Sequence, residues 1–198
     1  LEGFGKEGDY VARQIHRWTK QYKASETQHI PEMEQLIEWL PKNIPPGDKT
    51  TIVHGDYRLD NMVLHPTEPK VIAVLDWELC TLGDPLADFS YHLMNWVMPP
   101  GDSSRGSIMA IDDLAAWGIP SMDEYVDMYC KHTGRNGLPE LDYYFAYNGF
   151  RLAGILQGII GRVRDGTANS ANAESNAARV VPLAQFAAEY ARRAGMPG

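Results

Sequence analysis

The sequence predicts an α+β fold: a mainly helical body with one small β-hairpin near its middle. Apolar residues recur with helical period towards both ends of the chain. Short β-branched runs gather between residues 51 and 75. No internal repeat divides the 198 residues, so one domain over 1–198 is the simplest reading. Hydrophobic residues make up 44% and charged ones 22%, an ordinary globular composition. A chain of this size buries ~70% of its unfolded surface and can hold a core without staples.

Taken in order, "GFGKEG" places Gly3, Gly5 and Gly8 at GxGxxG spacing. A dinucleotide site needs a strand before those glycines, and a kinase glycine-rich loop needs strands on both sides. No strand precedes them and a helix follows, so the segment reads as a flexible entry. Residues 9–23 form that helix, with Val11, Ile15, Trp18 and Tyr22 on one stripe. A second helix spans 31–40, opened by Pro31 and ended by Pro41 and Pro45. Strands are predicted at 51–54, 62–64 and 70–75, the last two paired across "HPTEP".

From Pro85 onward the chain is helical. Asp84 is a good N-cap with Pro85 behind it, and helices are predicted over 85–97, 121–133 and 141–165. The third presents Leu152, Ile155, Leu156, Ile159, Ile160 and Val163 as a core face. Residues 165–178 read as a polar loop, and a last helix follows that Pro182 should break or kink.

The net charge of −8 disfavours nucleic-acid partners. No apolar run is long enough for a membrane span, and no signal peptide is present, so a cytoplasmic protein is expected. Cys80 and Cys130 form no CxxC pair and read as reduced packing thiols. The six histidines show no zinc-ligand spacing, no GxSxG occurs, and "GDKTT" has the wrong order for a P-loop.

One stretch survives these exclusions: "TIVHGDYRLDNMVLHPTEPKVIAVLDWELCTLGDPLADFS", residues 51–90. A strand runs into His54-Gly55-Asp56. Asn61 opens the hairpin and Asp76 closes it, so Asn61 and Asp76 should lie side by side, with Asp56 at the same end. A carboxylate, a carboxamide and a second carboxylate form an all-oxygen set that suits Mg²⁺, whose remaining ligands come from water and phosphate. If the backbone stays extended after Asp76, Glu78 faces the same way. Asp84 and Asp88 alone read as structural. The joint spacing H-G-D-x-x-x-x-N, then an Asp ending the next strand, matches the protein-kinase H-R-D-x-x-x-x-N and D-F-G elements. Gly55 stands for the Arg, and Asp76-Trp77-Glu78 for Asp-Phe-Gly.

"VHGDYRLDN" and "VLDWELCTLGDPLADFS" resemble the aminoglycoside phosphotransferase and choline kinase superfamily. With the "DYVARQIHRWTKQY" helix, they are closest to the phosphotransferase domains associated with acyl-CoA dehydrogenases. The resemblance spans the chain and matches the C-terminal lobe of a protein-kinase-like fold, with the hairpin carrying the catalytic loop.

The resemblance implies an ATP- and Mg²⁺-dependent kinase acting on a hydroxyl of a small molecule, a hydroxyacyl-CoA or an aminoglycoside-like metabolite. Asp56 would be the base and Arg58 a contact to the transferred phosphate. Asn61 and Asp76 would hold Mg²⁺ and nucleotide, with Glu78 as a further ligand. His54, Asp84 and Asp88 would support the loop. The glycine-rich loop and strand lysine of the N-terminal, ATP-binding lobe are not found. That lobe is expected outside this chain, which begins at Leu1 rather than Met and reads as cut from something longer. These 198 residues alone are therefore expected to be inactive and to self-associate or meet a partner. A non-catalytic kinase-like binding or scaffolding module is the alternative. A metal-dependent phosphohydrolase would need a second metal, usually with histidine ligands, and none are spaced for it.

Overall fold

The computed structural model describes residues 3–47, 49–98, 114–167 and 173–198. Helix α1 (Tyr10–Ser25) buries Val11, Ile15, Trp18 and Tyr22, the stripe its period predicts. Helix α2 (Pro31–Trp39) begins on its proline and tightens into a 3₁₀ turn at Leu40–Lys42. Strand β1 (Thr51–Val53) follows, then the hairpin of β2 (Met62–Leu64) and β3 (Val71–Val74), then β4 (Thr81–Gly83). Helices α3 (Pro85–Val97), α4 (Met122–Thr133), α5 (Leu141–Arg164) and α6 (Ala173–Arg193) complete the chain.

The fold is α+β, but it holds two small sheets rather than one hairpin. Strands β2 and β3 pair antiparallel, Met62 opposite Val74. Strands β1 and β4 also pair antiparallel, Thr51 opposite Gly83 and Val53 opposite Thr81. The second pairing clasps the hairpin and its flanking loops at their base. Gly83 is required there, since a Cβ would lie 2.7 Å from the Tyr10 ring.

Helix α5 is the central post, packed against α1, α3 and α6. Its burial extends well beyond the predicted aliphatic face. Tyr143, Tyr144, Phe145, Tyr147 and Phe150 are buried along with Leu156, whereas Leu152, Ile155, Ile159, Ile160 and Val163 are only partly covered. Glycines set the α1–α5 approach. A Cβ at Gly158 would meet Gln21 Nε2 at 2.4 Å, and one at Gly161 would meet Ser25 Cβ at 2.4 Å. Buried Gln157 ties the same crossing, donating to Ser25 O and to Thr27 Oγ1 at 3.0 Å.

Two expectations near the C-terminus change. The polar loop over 165–178 lies partly outside the described residues, and from Ala173 onward the chain is helix. That helix passes through Pro182 without ending. An interior proline costs ~3 kcal/mol, and the close packing of Ala184, Ala187, Ala188 and Ala191 in the core offsets it. Among the described residues no helix is long and apolar enough to cross a membrane.

Candidate functional site

The site forms where β1 ends. Gly55 takes a left-handed conformation, φ +84°, and a Cβ there would sit 2.9 Å from Leu79 O. Only glycine turns the chain here and leaves room for the neighbouring segment. The turn points two consecutive backbone N–H groups at one acceptor: Asp88 receives His54 N at 2.5 Å and Gly55 N at 2.9 Å. Burial pushes the Asp88 carboxyl above its ordinary range, opposed by those two N–H donors and by the Arg151 guanidinium.

His54 is buried and works through both ring nitrogens. Nδ1 accepts from Asp56 N at 3.2 Å, which leaves Nε2 to donate to Leu75 O at 2.7 Å. The imidazole thus links the loop that carries Asp56 to the residue before Asp76. Its ring lies 4.7 Å from that of Trp77.

Asn61 ends a 3₁₀ turn, Leu59–Asn61, just ahead of β2. Its side chain is buried and donates from Nδ2 to Asp56 O at 2.8 Å and to Asp56 Oδ2 at 3.0 Å. Its backbone carbonyl accepts from Leu75 N at 2.8 Å. Asp56, Asn61 and the end of β3 are therefore neighbours. Arg58 Nε lies 3.3 Å from Asp56 Oδ2, off the axis of a hydrogen bond, while Nη1 reaches Asp60 Oδ2 at 3.1 Å.

Asp76 is exposed and left-handed, φ 60° and ψ 51°. Aspartate tolerates this region better than most residues, at a cost typical of functional positions. The chain then coils into a 3₁₀ turn, Trp77–Leu79. This corrects the expectation for Glu78. The extended backbone that would align it with Asp76 is absent, and Glu78 sits exposed in the turn. Asp84 accepts from Leu86 N at 2.9 Å as the N-cap of α3 and also receives the Tyr144 hydroxyl.

Two functional candidates escaped the sequence reading. Tyr91 lies close enough to Asp56 to feel its charge, and burial, the larger cause, raises its phenol, which keeps it protonated. Arg151 is buried, donates from Nη2 to Gly55 O, and lies 4.9 Å from the Tyr91 ring. Both carry a periodic signal. Asp84, Asp88 and Tyr91 share one face of α3. Tyr144, Asn148 and Arg151 share the facing stripe of α5, with Asn148 Nδ2 donating to Ser90 Oγ at 2.9 Å. Polar residues at helical spacing inside an apolar helix mark such an interface.

Cavities flank the loop on two sides. One, about 440 Å³, is aromatic and includes His54, Tyr57, Trp77, Phe89, Tyr125 and Tyr129. The other, about 250 Å³, holds Asp56, Arg58, Arg17, Tyr91 and Arg151. Asn61 and Asp76 line neither. Most exposed large apolar side chains fall between Ile52 and Leu79, where Leu64 at 62% is the most exposed; Trp117, outside this stretch, reaches 77%. Among the described residues, the one trio of His, Cys, Asp or Glu poised as metal ligands is Glu26, His29 and Glu34, between α1 and α2. Lys23 already pairs with Glu26 and Glu34.

Residues 1–125 match the profile of the phosphotransferase enzyme family abbreviated APH. The chain belongs to that family. The APH phosphotransferase fold is also seen in a crystal structure of a Ralstonia eutropha protein provisionally described as an aminoglycoside phosphotransferase. That protein is 53% identical with a TM-score of 0.89, over 98% of this chain and 58% of that one. Curated relatives include acyl-CoA dehydrogenase family member 10 of Mus musculus, 44% identical over 196 residues. Family member 11 of Homo sapiens is 41% identical over 202 residues. The chain spans 18% and 25% of those two proteins, and 98% of its own length is covered in each case. Its APH-type, kinase-like fold is thus mostly helical with small sheets, and the family chemistry is phosphoryl transfer.

Proposed function

We propose that these residues form the C-terminal lobe of an ATP- and Mg²⁺-dependent kinase that phosphorylates a hydroxyl group of a small molecule. The observation that carries the reading is the fixing of Asp56. Its carboxylate accepts from Asn61 Nδ2 and lies beside Arg58, at the lip of a cavity that Tyr91 also lines. A base must be held in a fixed orientation next to the space the acceptor enters.

The residues fit a magnesium ion. Both Asn61 bonds go through Nδ2, so Oδ1 is the ligand atom left. Asp76 is exposed at the adjoining end of β3. An amide oxygen and an exposed carboxylate are hard ligands of the kind that suit Mg²⁺, which keeps several waters and takes the rest of its ligands from phosphate. Glu78, exposed in the turn two residues after Asp76, stays a proposed further ligand, without the strand alignment expected of it. Bound Mg·ATP would supply an electrophilic γ-phosphorus and neutralise the charge developing on its oxygens.

The chain's own residues do the rest. Asp56 accepts the proton of the acceptor hydroxyl. The acceptor oxygen bonds the γ-phosphorus, the bond to the β-phosphate oxygen breaks, and ADP leaves. Arg58 lies near enough to Asp56 to meet the transferred group. His54 and Asp88 keep the loop's backbone in place while charge moves. The exposed apolar surface between Ile52 and Leu79 supports a second lobe docking there, one that would bring a glycine-rich strand pair and a phosphate-binding lysine. The names of the relatives suggest a hydroxyacyl-CoA or an aminoglycoside-like acceptor.

The test is ATP-dependent phosphorylation by the protein carrying both lobes, followed with radiolabelled γ-phosphate over a panel of hydroxy compounds. Transfer that disappears in Asp56→Asn supports the reading. Mg·ATP binding without transfer to any acceptor would favour the scaffolding module.

A further inference from the structure

The cavity beside Asp56 has an unusual charge for this molecule. The chain carries −8 overall, yet three arginines, Arg17, Arg58 and Arg151, line the cavity against one acidic residue, Asp56. Two of the three are committed. Arg58 leans on Asp56 and Asp60, at 3.3 and 3.1 Å. Arg151 is buried, bonded to Gly55 O and stacked near the Trp18 and Tyr91 rings. Arg17 is exposed on α1, lies 5.1 Å from the Trp18 ring, and pairs with no carboxylate among the described residues. The remaining wall is mostly aromatic and aliphatic, with Trp18, Tyr91, Leu152 and Ile155.

We infer that this cavity is the acceptor pocket and that it takes a hydroxy compound bearing an oxyanion, a carboxylate or a phosphate, with Arg17 as the residue that selects it. The inference rests on the kinase reading for the word acceptor, and on the wall itself for the charge. A guanidinium presents its N–H groups in a planar fork that matches carboxylate and phosphate oxygens. A cationic acceptor, the aminoglycoside-like one of the two named above included, would face three like charges and only one carboxylate, which Arg58 already covers, so repulsion rejects it and favours the anionic, hydroxyacyl-type candidate. The apolar wall accommodates a short carbon chain between the anionic end at Arg17 and the hydroxyl at Asp56. At about 250 Å³ the cavity lies at the small end for ligand pockets, which suits a small acceptor or the tip of a larger one.

Binding to this chain, measured by NMR titration without nucleotide, tests the inference separately from turnover. The probes are 3-hydroxybutyrate, glycerol 3-phosphate, 1,3-butanediol and 3-aminopropanol, with the Trp18 indole as reporter. The expected result is saturable shifts at Trp18 with one or both anions, at least ~10-fold weaker binding of the diol, and none of the amine. The stronger anion tells whether carboxylate or phosphate is preferred. Arg17→Gln, an exposed change, should weaken the anion by about tenfold, the loss of roughly one charge-assisted contact. Amine or diol binding as tight as the anions, or anion binding that Arg17→Gln leaves unchanged, would overturn the assignment. Anion binding at Trp18 with no phosphate transfer by the two-lobed protein would uphold the anion pocket and remove the kinase reading alone.

Discussion

Asn61 donates its carboxamide to Asp56 twice, to the backbone carbonyl at 2.8 Å and to the carboxylate at 3.0 Å. One side chain thus fixes both the course of the loop and the direction of its carboxylate, and it does so from the start of the hairpin whose other end is Asp76. The candidate base and the candidate metal ligands are mechanically one unit.

Asp56→Asn keeps the size of the side chain and removes its basicity. In the protein carrying both lobes, turnover should fall ~10²–10⁴-fold, with Mg·ATP affinity nearly unchanged. Steady-state kinetics together with nucleotide calorimetry checks this. Wild-type turnover on the true acceptor would take Asp56 out of the mechanism.

Asp76→Ala should weaken Mg·ATP binding much more than binding of metal-free ATP, because its proposed partner is the ion. Asn61→Ala should show the same metal dependence and also lower turnover, since Asp56 loses its donor. Equal losses with and without Mg²⁺ would mean that both residues serve the fold alone.

Much of this unit was legible in the sequence, for local reasons. Helix stripes, the Asp84–Pro85 start of α3 and the hairpin around "HPTEP" are set by residues within a few positions of each other. What escaped depends on distant contacts. Strand β4 is three residues with no alternation to read, and it exists because β1, some thirty residues earlier, supplies its partner. The left-handed turn at Asp76 breaks the strand rule that placed Glu78 beside it, and no neighbouring residue announces the break. Tyr91 and Arg151 join the site only because α3 and α5 cross over the loop.

Gly55→Ala should cost about 2–4 kcal/mol, combining ~1–2 for a left-handed alanine with the overpacking of a Cβ against Leu79 O. The contact at 2.9 Å is with backbone, which cannot swing aside. Urea unfolding reads the loss directly. An alanine variant as stable as wild type would show that the loop can turn without glycine.

His92 gives the fold a pH dependence. It is buried among Tyr57, Trp96 and Tyr125, and burial lowers its pKa below the ordinary 6.5. The native state therefore prefers the neutral ring, and the unfolded chain binds the proton more readily. This contribution is fully present above pH 6.5 and is lost as pH falls through the native value. In His92→Phe, which keeps an aromatic ring, the drop in the urea midpoint between pH 7.5 and pH 5 should be smaller than in wild type. An identical drop would show that other groups carry the acid sensitivity.

The 198 residues by themselves should fold but bind Mg·ATP no tighter than the millimolar range and transfer no phosphate. Folding follows from the core that α5 shares with α1, α3 and α6. Weak binding follows from the geometry of the metal end of the site. Asp76 is exposed, and neither it nor Asn61 borders either cavity flanking the loop. A nucleotide there would meet one wall. A covering loop and a lysine would each add charge-assisted bonds of ~1.5–3 kcal/mol, and every ~1.4 kcal/mol is tenfold in affinity. The uncovered apolar surface around Leu64, Ile72 and Trp77 should also draw copies together at high concentration. Calorimetry and sedimentation on the chain test both statements. Micromolar Mg·ATP affinity, or phosphate transfer without a second lobe, would mean that the nucleotide is held by residues on this side of the cleft alone.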